Sequence, residues 1–338
     1  MIKEETREIL CDEKLLAVQR EGFRGLRALF DGGAAGPLAL HGILGRDRER
    51  SVLYTDPARA LKNDLSSLAE QAAGYRPVSR FVPFCVEGEF YGVHFVDKIF
   101  GADVFFQDGQ WYNRPLKTAV GELKEPDLEN SDTWRLARTY ARAFLDSGTE
   151  LPLLGLPTIA SALNIAINLY GEEILVAMMT EPEAAGHDLG IINDVLMRIH
   201  RWYLAHIPPD RMQPVISWAR TQPPGYGQIC GCSTQLVSPA LYEEFSMPLD
   251  DALLGVYPHG GMIHLCGAHE HLLPLFARMK HLKSVQLNDR AAEGLEQYAK
   301  QLREDQVIYL NPCAGMPPEK ALPILKGRKA VICGLYEL

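Results

Sequence analysis

The chain has 338 residues, 47% of them hydrophobic and 23% charged, with a formal net charge of −9. That length suits one large α/β barrel or two ordinary domains, and the acidic balance speaks against a nucleic-acid binder, which needs a basic face. No apolar run approaches the ~18 residues of a membrane span, the charged first residues lack the apolar core of a signal peptide, and an odd set of seven cysteines reads as reduced thiols of a cytoplasmic protein.

Residues 3–31 carry Leu10, Leu15, Leu16, Phe23, Leu26 and Leu29 at loose helical spacing, so an N-terminal helical segment is expected over 1–36. Pro37–Gly42 is a short apolar run closing on glycine and opens the main domain, 37–338. Asp56-Pro57 starts a helix through about Ala73, because Asp before Pro is a helix-start signal. A second strand is expected at 80–85. Phe95–Phe106 reads as a helix running into an extended piece, and Asp108-Gly109 as a turn. Residues 131–147 form an amphipathic helix with Trp134, Ala137, Tyr140 and Phe144 inward. A strand and turn at 151–157, a helix from Thr158 to Leu169, and a long helix from Pro182 to about His206 follow.

A fourth strand is expected at 214–218, then a long loop from Ala219 to Val237 rich in Gly, Pro and Gln, with Ser238-Pro239 restarting a helix. Apolar runs at 262–266, 284–288, 307–311 and 330–333 recur about every 22 residues with helical stretches between. Alternation of this kind means βαβ units and a parallel sheet. The eight candidate strands predict a (β/α)8 TIM barrel with an N-terminal helical extension; the alternative is an open doubly wound sheet, against which the lack of GxGxxG after the first strand counts.

Sites in that fold lie at the C-terminal ends of strands. His264 and Cys266 alternate with Ile263 and Leu265, so both point the same way along one strand. An imidazole and a thiolate side by side suit zinc, which takes N and S donors in a tetrahedral array. Cys333 closes the last strand before Gly334 and is the expected third ligand, with Cys313, in the loop just beyond the preceding strand, its rival. On this reading Cys333→Ala loses zinc and Cys313→Ala keeps it. Asp289 is the expected fourth or outer donor, and His259, His269 and His271 flank the motif, either to orient ligands or as ordinary loop histidines. Cys230-Gly231-Cys232 in the long loop offers a ligand or a redox thiol, although a CxC pair is by itself a poor metal signal. Glu243 and Glu244 read as solvated surface charge; Trp111, Trp218 and Tyr226 are candidates to line a pocket.

Several segments together resemble the uroporphyrinogen decarboxylase superfamily. They are Leu153-Leu154-Gly155-Leu156-Pro157-Thr158, Glu181-Pro182-Glu183, Ser238 to Phe245 with Pro248, His264-Leu265-Cys266-Gly267, and Leu310-Asn311-Pro312, in order over roughly 50–334. His264, Cys266 and Cys333 match the His-x-Cys…Cys zinc pattern of its methyltransferase branch, which includes the methylcobamide:coenzyme M methyltransferases. The decarboxylase's arginine-rich loop has no counterpart around Leu38–Arg46, and its terminal histidine is replaced by Cys333-Gly334.

The resemblance implies a zinc-dependent methyltransferase working with a corrinoid (methylcobalamin) protein, or on a small thiol or methyl donor. Two other readings compete. One is a metal-free decarboxylase of an acidic substrate, for which Arg46, Arg48 and Arg50 are the only cationic cluster near a strand end. The other is a non-catalytic barrel that binds a corrinoid partner.

Overall fold

The N-terminal helical stretch is two helices, Glu4–Leu10 and Glu13–Phe30. Asp12 divides them: its carboxylate accepts from the backbone N–H of Lys14 and Leu15, 2.9 and 3.0 Å away, and so caps the second helix. The same logic starts Pro57–Ala73, where Asp56 accepts from Arg59 N, and Asp132–Asp146, where Ser131 accepts from Trp134 N. Trp134, Ala137, Tyr140, Ala141 and Phe144 are buried along the inner face of that last helix, as the periodicity requires. The computed structural model describes residues 2–33, 36–46, 50–75, 81–213 and 220–334.

Twelve strands lie among the described residues: β1 (Gly36–Leu40), β2 (Ile43–Gly45), β3 (Phe84–Glu87), β4 (Asp103–Gln107), β5 (Gln110–Arg114), β6 (Leu153–Gly155), β7 (Met212–Gln213), β8 (Gly227–Cys230), β9 (Gly261–Leu265), β10 (Leu282–Leu287), β11 (Val307–Leu310) and β12 (Lys329–Cys333). One parallel sheet runs β1-β12-β11-β10-β9-β8, and a second, also parallel, runs β2-β3-β6-β7. A bridge between Leu40 and Phe81 stitches the two sheets together along the β1–β2 strand. On the other side no strand ladder joins β7 to β8 among the described residues, so the sheet is not seen as a closed barrel. The fold is α/β with two parallel sheets.

One expectation changes here. The strand expected at 214–218 lies outside the described residues. In its neighbourhood β7 ends at Gln213, and β8 falls inside the stretch expected to be a loop. Gly225 and Gly227 had masked β8, since glycine and proline weaken any strand signal. The Asp108-Gly109 turn closes a two-stranded hairpin, β4 with β5, with both residues at positive φ, 50° and 81°.

Side chains alternate across the strands. Ile263, Leu265, Val285, Leu287, Ile308 and Ile332 join the large apolar core under the helices. The other face carries Leu40, Met262, Tyr309, Val331 and Cys333, a second cluster that Leu26 and Leu29 of helix Glu13–Phe30 cover. Lys329 Nζ donates to Phe30 O, which sets that helix against the starting end of β12, away from the strand ends that carry the thiols.

One buried acid gives the fold a pH dependence. Asp250, in helix Met247–Leu254, accepts from Tyr242 Oη at 3.0 Å. Burial pushes its carboxyl up to about 7, against a partial lowering by the Tyr242 hydrogen bond. The folded state therefore holds this proton more tightly than the unfolded chain does, so its contribution is present at low pH and lost as pH rises toward 7. Between about pH 4.5 and about pH 7.5 the group should cost on the order of 3 kcal/mol of stability. Urea unfolding of Asp250→Asn, which cannot titrate, should show the variant gaining on the wild type by about that amount over the window. Equal pH slopes for the two proteins would refute it.

Candidate metal centre

The parallel register of β8 and β9 sets Cys230 directly beside His264, and Gly231 N donates to His264 O at 2.9 Å. Gly231 packs closely at this turn, where a Cβ would come within 2.5 Å of Ile263 Cδ1. The chain then enters a 3-10 turn, Cys232–Leu236, that returns the Cys232 thiol to Cys230 with an Sγ–Sγ distance of 3.6 Å. The ligand atoms of Cys230, Cys232 and His264 all lie within 4.8 Å of one another. Cys266, one residue past β9, places its Sγ 2.9 Å from His264 Nε2. Three sulfurs and one imidazole nitrogen thus meet at the C-terminal ends of two neighbouring strands.

The thiols share protons unequally. Cys232 bonds to both Cys230 and Cys266, which lowers Cys230 to about 6 and Cys266 to about 5 and raises Cys232. Cys230 and Cys266 are thereby disposed toward the thiolate form, and a coordinating metal would take the proton from Cys232 as well.

The imidazole is fixed from behind. His264 is buried, and its Nδ1 meets Gln286 Oε1, which can only accept. The ring proton therefore sits on Nδ1, and Nε2 turns its lone pair to the sulfurs. Gln286 is held in turn by Asn288, whose Oδ1 accepts from its Nε2 at 2.9 Å. Gln286→Leu should weaken zinc binding by roughly 10- to 100-fold while leaving the donors in place. Competition with a chromogenic chelator measures this; unchanged affinity would show that Gln286 does not orient the ring.

The surrounding loops are tied to one another. His269 is buried, donates from Nδ1 to Thr234 Oγ1 at 3.0 Å, and accepts at Nε2 from Gly267 N at 3.3 Å. Burial lowers it to about 4, so it stays neutral in this double role. The Thr234 hydroxyl donates to Gly231 O at 2.8 Å, which joins the Cys230–Cys232 turn to the segment after Cys266. Behind the turn, Ser161 N donates to Cys230 O at 3.0 Å and Ser233 N to Asn164 Oδ1 at 3.1 Å.

Of the residues expected from sequence, His264 and Cys266 stand together in this group, and His269 orients the loops. Cys333 faces the apolar cluster of Leu40, Tyr309 and Val331 and lies outside the group of close ligand atoms. Burial lifts its thiol to about 12. Asp289 is exposed at φ 45°, near enough to Cys266 for its charge to act on that thiol. Cys313 Sγ points to Asp289 O, 3.7 Å away. His271 contacts Val237 O, and His259 packs on Tyr226. Glu243 pairs with Arg278 at the surface. Trp111 packs among Tyr54, Tyr91 and Phe106, and Trp218 and Arg48 lie outside the described residues. Arg46 is paired with Glu87 and Glu89, and Arg50 with Glu89. Sequence reasoning missed Gln286, whose only signal was a polar residue at an inward position of an apolar strand.

No family model matches the chain, and no curated protein matches it. Among solved structures, a methyltransferase from Methanosarcina mazei matches with a TM-score of 0.62 at 11% identity, over 93% of this chain and 93% of that one. At that identity the likeness is one of fold. No single helix among the described residues is long and apolar enough to cross a membrane.

Proposed function

We propose that this protein is a zinc-dependent methyltransferase that passes a methyl group between a corrinoid and a small thiol. The observation that carries the reading is the cluster of Cys230, Cys232, Cys266 and the buried His264. The fold likeness to a methyltransferase supports it. So do the segments that resemble the methyltransferase branch of the uroporphyrinogen decarboxylase superfamily.

The donor set fits zinc. Two thiolates and one imidazole make a catalytic set that leaves a fourth position open. We assign Cys230, Cys232 and His264 as the donors, in place of the expected Cys333, with Cys266 bordering the remaining position. Bound zinc would supply a Lewis acid that deprotonates an entering thiol and keeps it nucleophilic beside two anionic sulfurs. Gln286 keeps His264 Nε2 aimed at the site, and the Thr234–His269 link holds the two cysteine-bearing segments at a fixed spacing.

We also propose that the sheets close into an eight-stranded barrel, with β1 and β2 as one strand and β7 and β8 as two halves of the fourth. Leu156, just past the third strand, donates its N–H to Gln213 O, and Ser161, at the start of the following helix, donates to Cys230 O. Closure would put every thiol-bearing strand end at one mouth, where barrel enzymes react.

A metal-free decarboxylase of an acidic substrate needs cations free to meet carboxylates, and Arg46 and Arg50 are already paired with glutamates. The deciding experiment gives the zinc-loaded protein methylcobalamin and a small thiol such as 2-mercaptoethanesulfonate and follows corrinoid demethylation by absorbance. Thiol-dependent demethylation above the rate without protein is expected. Its absence with both carbon-chain and sulfonated thiols would overturn the reading.

A further inference from the structure

We infer that Cys230 and Cys232 close a reversible disulfide, and that closing it removes both thiolates from the metal. The second half rests on the ligand reading above. The geometry is already near: the two sulfurs are 3.6 Å apart on residues separated only by Gly231, and a disulfide needs about 2.05 Å. Both cysteines are half-buried residues at a turn. Cys266, the other sulfur near Cys232, is engaged with His264 Nε2 at 2.9 Å. Cys85 and Cys333 are buried. The pair on the turn is therefore the one that closes with the least movement.

The oxidant is a low-molecular-weight disulfide. One thiolate of the pair attacks a sulfur of the oxidant, forming a mixed disulfide and expelling one small thiolate. The second cysteine thiolate attacks the mixed disulfide, forming the Cys230–Cys232 bond and expelling the other small thiolate. The two protons end on the two released thiols, and the two electrons have passed from the cysteines to the oxidant. His264 and Cys266 remain as donors, two where a zinc site needs at least three from the protein. Oxidation would thus switch the site off, and a dithiol would restore it.

The test treats the wild-type chain, metal-free and zinc-loaded, with oxidised glutathione. Peptide mass spectrometry locates any disulfide while a chromogenic chelator follows released zinc. The expected result is a disulfide within the peptide holding Cys230 and Cys232 in both samples. In the loaded sample one zinc is released per disulfide formed, and dithiothreitol reverses both changes. No disulfide in the metal-free chain, or one joining Cys232 to Cys266, overturns the inference. Zinc that stays bound while the Cys230–Cys232 disulfide forms overturns its metal half and the ligand assignment with it. A chain that takes up no zinc at all refutes the ligand reading and the metal half, and leaves the disulfide judged by the metal-free sample alone.

Discussion

Gly261→Ala should destabilise the protein by on the order of 4 kcal/mol, at the upper end of what single substitutions do. A Cβ on Gly261 would lie 2.3 Å from Gly227 O, 2.5 Å from Gly227 C and 2.9 Å from Gly227 Cα. All three are backbone atoms of the neighbouring strand, so no side chain can rotate away to relieve the clash. Gly227 cannot retreat either, because its own Cα is packed on the Tyr257 ring, where a Cβ would meet Cδ2 at 2.2 Å. The relief left is to part β8 from β9 at the end where their ladder begins. That ladder sets Cys230 beside His264, so loss of stability and loss of the metal site should come together. Urea unfolding checks the first and zinc content the second. A variant within about 1 kcal/mol of wild type would show that the two strands can separate there at little cost.

Cys230→Ala should lose roughly two orders of magnitude in zinc affinity. Structural zinc sites with four protein donors bind with about 10–16 kcal/mol, so each donor is worth about 3 kcal/mol. The change removes a half-buried sulfur at a strand end, and Ile229 and the β8 ladder stay in place. The effect should therefore fall on the metal more than on the fold. Cys232→Ala should behave alike, since its sulfur lies within 4.8 Å of both Cys230 and His264 ligand atoms. Cys333→Ala is the informative partner. With its thiol in the apolar cluster of Leu40 and Val331, the substitution should leave zinc within a few-fold of wild type. Dialysis against a chelator followed by metal analysis compares the three. Zinc lost from Cys333→Ala and kept by Cys230→Ala would restore Cys333 as the ligand, as its strand-end position in the sequence suggests.

The contrast between those cysteines shows how far the sequence could be read. His264 and Cys266 were legible because a strand has a period of two, and the strand itself was plain from its β-branched and apolar run. The last four strands were legible for the same reason. Cys230 and Cys232 were visible as a pair but not as a site. The strand that carries Cys230 is four residues long, follows Pro223-Pro224-Gly225, and has glutamine at its second position, so it reads as loop. Its strand character comes from pairing with β9, a tertiary effect that no local pattern encodes. The helix starts at Asp12, Asp56 and Ser131 are local chemistry; two of them were foreseen, while the Asp12 cap was hidden inside a continuous helical pattern. Gln286 could be recognised only once the histidine it holds was placed in space.

The most direct measurement is zinc-edge X-ray absorption on protein purified under reducing conditions. The expected spectrum shows a sulfur shell at about 2.3 Å together with nitrogen at about 2.0–2.1 Å, as two or three thiolates and one imidazole require. A sample with no zinc edge, or with only oxygen and nitrogen neighbours around the ion, would contradict a metal centre at Cys230, Cys232 and His264.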